Sequence, residues 1–177
     1  MDQDYGEFTK QWLAAGKIYL APENAVYIFQ ADARLPDVIQ AMRDESYYYS
    51  QIIFWIKNAM VLGRKDYNPQ HEVIVYGWHG KHKFYRRKSK NLIFHPKPHR
   101  SVLHPTMKPV GLLRKLILNS SQIGDLVYDP FAGSGSTLIA CENTKRRCLS
   151  IEIDPGYCQT IIDRWGKLTG QTSQKVL

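Results

Sequence analysis

The chain has 177 residues, long enough for one domain with a hydrophobic core. Its 44% hydrophobic and 23% charged residues fit a globular chain, and no run of 18 apolar residues offers a membrane span. The net charge of +8 lies in one window: His79–Leu103 holds eight Lys/Arg and no Asp or Glu, and the remaining residues balance at sixteen of each sign. A one-signed run of this kind favours a polyanionic partner over a merely solvated loop.

Residues 4–20 predict a helix, with Tyr5, Phe8, Trp12, Ala15 and Tyr19 on one apolar stripe. Pro22-Glu23-Asn24 reads as a turn and Ala25–Phe29 as a buried strand. A second helix is expected from Pro36 to Glu45, with Val38, Ile39 and Met42 inward. Ser50–Lys57 and Glu72–Trp78 read as an antiparallel strand pair, separated by a loop broken at Gly63 and Pro69.

The basic window follows, with Phe84, Tyr85 and Phe94 set among its cations, a mixture suited to stacking on bases and pairing with phosphates. Pro96 and Pro98 favour an extended course. His79-x-x-His82 and His95-x-x-x-His99 have metal-like spacings, but the window supplies no cysteine or carboxylate, and no metal is expected. Beyond it, Val110–Ser120 predicts a helix with Leu112, Leu113, Leu116 and Ile117 inward, and Tyr157–Leu168 predicts the last one.

Asp125–Thr137 is the organising stretch. Leu126-Val127-Tyr128 reads as a strand, Asp129 ends it, Gly133-Ser134-Gly135 turns the chain, and Ser136-Thr137 opens a helix. Glycines permit positive φ and close backbone approach, and a helix start offers unpaired N–H groups. A second strand, Arg147–Glu152, ends in an acid 23 residues after Asp129, near the ~20-residue offset at which acids hold ribose hydroxyls. This unit fits a ribose-bearing cofactor. No Gly-Lys-Ser/Thr follows the turn, which excludes a P-loop, and Leu138 stands where G-x-G-x-x-G needs its third glycine, which disfavours a nicotinamide cofactor.

Three ordered motifs, His104-Pro-Thr-Met-Lys-Pro109, Asp129-Pro-Phe-Ala-Gly-Ser-Gly-Ser-Thr137 and Ile151-Glu-Ile-Asp-Pro-Gly-Tyr157, resemble those of the amino-group DNA methyltransferases, which modify adenine N6 or cytosine N4. The match is to the branch whose cofactor motifs come last in the chain. Phe54-Trp55-Ile56-Lys57, Gly63, Tyr67, Glu72 and Tyr76-Gly77-Trp78 look like its central part, so the likeness covers about residues 5–168. The resemblance implies an α/β, Rossmann-like methyltransferase sheet with S-adenosylmethionine as methyl donor. It assigns Thr106, Lys108, Asp129, Pro130, Phe131, Gly133, Ser134, Gly135, Thr137 and Glu152 to the cofactor, with Glu152 on its ribose. It assigns double-stranded DNA to the basic window, through Lys81, Lys83, Arg86, Arg87, Lys88 and Lys90, with the target base flipped from the duplex.

The family's catalytic tetrapeptide, Asp/Asn/Ser-Pro-Pro-aromatic, is absent from the 177 residues, so no catalytic residue is assigned. Asp154-Pro155-Gly156-Tyr157 lacks the second proline and belongs to the ribose-side motif, while Asn68-Pro69-Gln70-His71 lacks both second proline and aromatic. The expectation is an N-terminally truncated methyltransferase domain whose sheet lacks the central strand leading to that tetrapeptide. The strands ending near Tyr128 and Phe29 would then each miss a neighbour. Residues 1–78 would form the truncated catalytic half, 79–103 the target-recognition insertion and 104–170 the cofactor half.

Two functions follow: a restriction-modification DNA methyltransferase whose missing segment comes from elsewhere, such as a second chain, or a remnant that binds cofactor or DNA without methyl transfer. The start Met1-Asp2-Gln3-Asp4 has no signal- or transit-peptide pattern, and Cys141, Cys148 and Cys158 form no C-x-x-C pair, so a cytoplasmic chain with reduced, buried thiols is expected.

Overall fold

The computed structural model describes residues 5–60, 63–64, 66–86, 88–97 and 107–176. The chain divides into two compact units, Met1–Pro96 and Lys97–Leu177.

The first unit is a sheet with two helices. Helix α1 (Tyr5–Lys17) and helix α2 (Leu35–Asp44) pack on each other. Their shared core joins Leu13, Val38, Ala41 and Met42 to Ile28, Tyr47 and Val75 of the sheet. The expected stripe holds in part: Tyr5 and Trp12 pack against this core beside the buried Thr9 and Leu13, whereas Phe8 is 47% exposed and Tyr19 lies beyond the end of α1 and is exposed. Thr9 tolerates burial because its hydroxyl donates to the Tyr5 carbonyl at 2.8 Å, which leaves its methyl for packing.

The strands are β1 (Glu23–Asn24), β2 (Val26–Gln30), β3 (Tyr47–Ile56), β4 (His71–His79), β5 (Lys81–His82) and β6 (Leu92–Phe94). The main sheet runs β2-β4-β3-β6, with β3 and β4 antiparallel as expected and β6 parallel to β3. Pro22-Glu23-Asn24 is not a simple turn, because Glu23 and Asn24 pair in parallel with Lys81 and His82. Asn24 secures that pairing by donating to the Ala21 and His79 carbonyls and accepting from His79 N–H.

The second unit contains α3 (Val110–Ser120), β7 (Leu126–Asp129), α4 (Ser136–Glu142), β8 (Arg147–Ser150) and α5 (Pro155–Thr169). Leu112, Leu113, Leu116 and Ile117 are all buried on α3, as their spacing predicts. Strands β7 and β8 pair in parallel from Leu126↔Arg147 to Asp129↔Ser150. Helix α4 packs on β8, while Leu126, Tyr128 and Leu149 are exposed. Parallel strands are ordinarily covered on both faces and paired on both edges. Among the described residues, β2 is an end strand of the first unit's sheet and β7 of the second unit's, so each of the two strands where a missing neighbour is expected has an unpaired edge. No helix of the described residues is long and apolar enough to cross a membrane.

Candidate cofactor turn and nucleic-acid surface

Strand β7 delivers Asp129 to the start of the glycine turn, where Asp129 Oδ1 accepts the Phe131 N–H at 3.0 Å. The turn is stitched to the end of β8 on its backbone: Ile151 N donates to the Asp129 carbonyl at 2.9 Å and Ala132 N donates to the Ile151 carbonyl at 3.0 Å. Gly133 and Gly135 take φ of 53° and 78°, the left-handed region that glycine enters without strain. A side chain on Gly135 would also meet Ile161 of α5 at 2.9 Å.

Glu152 joins the two strand ends. Its Oε2 accepts the Gly133 N–H at 2.6 Å, and its Oε1 accepts the N–H groups of Ile153 and Asp154, each at 3.0 Å. An ionised carboxylate offers about four acceptor positions, so three backbone donors leave capacity for a further hydroxyl. Asp154 caps α5 by accepting from Gly156 N and Tyr157 N.

Ser134 and Ser136 are both buried. Arg164, one helix away on α5, donates through Nη1 to the Ser134 carbonyl and, at 3.1 Å, to Ser134 Oγ. Ser136 Oγ is buried with no hydrogen-bond partner among the described residues. Behind the turn, Cys141 and Cys148 lie side by side. Sharing a hydrogen bond with Cys148, together with burial, pushes the Cys141 thiol well up, and the same bond draws the Cys148 thiol down. Cys148 also meets Ser150 Oγ at 3.2 Å. Cys141 is buried and the other two cysteines are half-buried.

Asp129, Pro130, Phe131, Gly133, Ser134, Gly135, Thr137 and Glu152 thus fall on one strand–turn–helix unit and the end of its neighbouring strand. Lys108 is half-buried just before α3, and Thr106, with His104 and Pro105, lies outside the described residues. Sequence reasoning missed Arg164 and Ile161, which no local motif marks; only the packing of α5 brings them to the turn.

In the first unit, Lys81, Arg86, Lys88 and Lys90 are exposed and Lys83 is half-buried; Arg87 lies outside the described residues. The Lys83 ammonium stands 5.7 Å from the centre of the Tyr85 ring. Phe84 stacks on His82 within an aromatic row the sequence did not reveal: Tyr48 stacks on Trp78 at 4.5 Å, and Trp78 meets His82 at 4.3 Å. The Tyr76 hydroxyl and His82 Nε2 share a hydrogen bond of 2.8 Å. Among the described residues, no group of three or more His, Cys, Asp or Glu could hold a metal ion.

A strand, an acid, a glycine turn and a helix, with a second acid closing the adjacent parallel strand, define an α/β nucleotide-type cofactor fold. The profile of the DNA methylase family, the N6/N4 methyltransferases, matches residues 2–163, and the chain belongs to that family. It is 26% identical over 190 residues to the type II methyltransferase M.HpaI of Haemophilus parainfluenzae, covering 90% of this chain and 59% of that protein. It is 26% identical over 170 residues to the type II methyltransferase M2.DpnII of Streptococcus pneumoniae, covering 85% of this chain and 63% of that protein. The chain therefore spans less than two thirds of the length of both relatives. Among solved structures, M1.HpyAVI in complex with S-adenosylmethionine superposes with a TM-score of 0.80 at 26% identity, over 92% of this chain and 84% of that one. The cytosine-N4-specific PvuII DNA methyltransferase shares the fold with a TM-score of 0.77 at 16% identity, over 93% of this chain and 74% of that one.

Proposed function

We propose that this chain is the methyl-donor portion of a site-specific DNA amino-methyltransferase, with S-adenosylmethionine as cofactor and adenine N6 or cytosine N4 as acceptor. The observation that carries the reading is the tie between Glu152 Oε2 and Gly133 N–H, which fixes the acid of β8 against the glycine turn of β7. The turn fits the cofactor's chemistry. Glu152 keeps acceptor capacity for a ribose hydroxyl, Asp129 brings a second carboxylate, and Ser136 Oγ is a buried polar atom awaiting a partner. When bound, S-adenosylmethionine supplies an electrophilic methyl on its sulfonium sulfur. The chain's own part is to orient it: Gly133–Gly135 at its methionine end, Glu152 at its ribose, and Lys108 and Thr106 from the preceding motif on its other side.

DNA is the partner of the basic window. Lys81, Lys83, Arg86, Arg87, Lys88 and Lys90 neutralise phosphates there, and the neighbouring aromatics offer faces for bases. Adenine N6 is the first acceptor to test, with cytosine N4 the alternative. The acceptor-side tetrapeptide comes on a strand pairing with β7, supplied by a preceding segment or a second chain. The end-strand position of β7 favours this arrangement. The other reading, a remnant that binds cofactor or DNA without transfer, rests on the absence of Asp/Asn/Ser-Pro-Pro-aromatic from these 177 residues.

The deciding experiment offers the purified chain S-adenosylmethionine and duplex DNA, alone and with a strand-bearing segment that ends in Asp-Pro-Pro-Tyr. Micromolar cofactor binding by the chain alone, with methyl transfer only when the segment is present, supports the proposal. Binding of cofactor or DNA with no transfer in either case supports the remnant, no cofactor binding overturns the proposal, and binding of neither overturns both.

A further inference from the structure

Arg164 occupies an unusual place for a cation on a terminal helix. Its guanidinium is partly withdrawn from water and, among the described residues, meets no carboxylate. Both of its contacts fall on Ser134, the residue between the two positive-φ glycines: one to the backbone carbonyl and one to Oγ. A partly desolvated guanidinium is retained where hydrogen bonds offset the loss of water, and here Nη1 directs both of its bonds to one turn.

Helix α5 is well placed to hold such a contact rigid. Asp154 caps its start, Trp165 Nε1 donates to Glu142 Oε1 of α4 at 2.9 Å, and Ile161 fills the space that a side chain on Gly135 would need. Glu152 ties the turn at Gly133 N–H, but Ser134 and Gly135 beyond it still include a residue with unusually wide backbone freedom, and without Arg164 they would sample more conformers. The donors it offers to a ligand would then be ordered only on binding, at a cost in affinity.

We propose that Arg164 is a positioning residue for the cofactor turn: it latches Ser134 from α5 and thereby pre-orders the backbone of Gly133–Gly135. The inference rests on the reading of that turn as the site for the amino-acid end of S-adenosylmethionine. The latch acts on Ser134, at that end, whereas Glu152 at the ribose end is also held by the N–H groups of Ile153 and Asp154, outside the turn.

The test uses the full chain with Arg164→Met, Arg164→Lys and Ser134→Ala. Calorimetry gives the affinities for S-adenosylmethionine and for adenosine, and hydrogen exchange follows the peptide spanning 131–137. The latch predicts at least fivefold weaker S-adenosylmethionine binding in R164M, with adenosine affinity within twofold of wild type and faster exchange at 131–137. R164K recovers part of the loss, since an ammonium keeps the charge and donors but ends a shorter stem that reaches Ser134 less well. S134A keeps the carbonyl contact and shows a smaller loss than R164M. Equal weakening of both ligands, unaltered affinity, or collapse of the fold in R164M each overturns the assignment. Should the wild-type chain bind no S-adenosylmethionine, the proposed function fails. The exchange measurement then judges the latch alone: faster exchange in R164M supports it and unchanged exchange overturns it.

Discussion

The carboxylate of Glu152 and the amide of Gly133 meet at 2.6 Å, so a residue just beyond the end of β8 also clamps the turn that follows β7. Glutamine at 152 cannot reproduce this. One side of a carboxamide is a donor, so either Gly133 N–H or the Ile153 and Asp154 N–H groups lose their acceptor. Glu152→Gln is expected to destabilise the chain by about 1–3 kcal/mol, read as a lower urea midpoint with unchanged slope. It is also expected to weaken S-adenosylmethionine binding roughly tenfold, which corresponds to about 1.4 kcal/mol. A midpoint equal to wild type would mean that the bond is not formed in solution.

Gly135→Ala tests the turn from the other side. At φ of 78° a Cβ carries an intrinsic cost of about 1–2 kcal/mol, and here it would also press on Ile161 at 2.9 Å. Thermal unfolding should show a clear loss of melting temperature. Gly124 is the control: it has φ of 84° with nothing near its absent Cβ, so Gly124→Ala should incur the backbone cost alone.

The buried ammonium of Lys57 gives a third test. It lies 2.9 Å from Glu72 and over the Trp55 ring at 5.3 Å, with its side chain only 5% exposed. Glu72→Ala would leave that charge buried without its counter-ion, at a cost of about 3 kcal/mol. Lys57→Met together with Glu72→Ala should recover much of the loss, because the desolvated charge is then gone. A double variant no more stable than Glu72→Ala would argue against this account.

Much of this arrangement was legible before any coordinates. The α3 stripe, the β3–β4 pairing and the strand–turn–helix around Gly133 follow from local period and from glycine's backbone freedom. The burial of Thr9 on α1 was not legible, because Thr9 counts as polar until its hydroxyl bond to Tyr5 is seen. Nor was β1 with β5, whose two-residue pairing depends on Asn24 reaching His79 across 55 positions. Arg164 was hidden for the same reason: its partner Ser134 stands 30 residues earlier, and only α5 packing beside α4 brings them together.

The basic window makes a prediction in salt. If Arg86 and Lys90, both exposed, each neutralise one DNA phosphate, then Arg86→Ala with Lys90→Ala lowers the slope of log affinity against log salt by about 2. The loss should be similar on any duplex, since phosphate contacts carry no sequence information. Replacing Tyr85, which packs beside Lys83, should leave that slope unchanged while reducing affinity for unpaired bases. A double variant with the wild-type slope would remove this window from the DNA-contacting surface.

Tyr47 links the packing of the first unit to pH. Its hydroxyl is buried and donates to the Leu13 carbonyl at 3.0 Å, and burial, aided by the nearby Glu45 carboxylate, raises its pKa from 10.0 to about 12. A phenol whose pKa is higher in the folded state contributes stability that is complete below pH 10 and is lost as pH rises toward 12. The folded state holds its proton over that window, whereas the unfolded chain releases it. Tyr47→Phe removes both the titration and the hydrogen bond. It is expected to lower stability at neutral pH by about 1 kcal/mol. Between pH 10 and 12 its unfolding free energy should fall less steeply than that of wild type, which urea titrations across that range would measure. Parallel pH profiles for the two proteins would show that the Tyr47 hydroxyl is not held in the α1–β3 core.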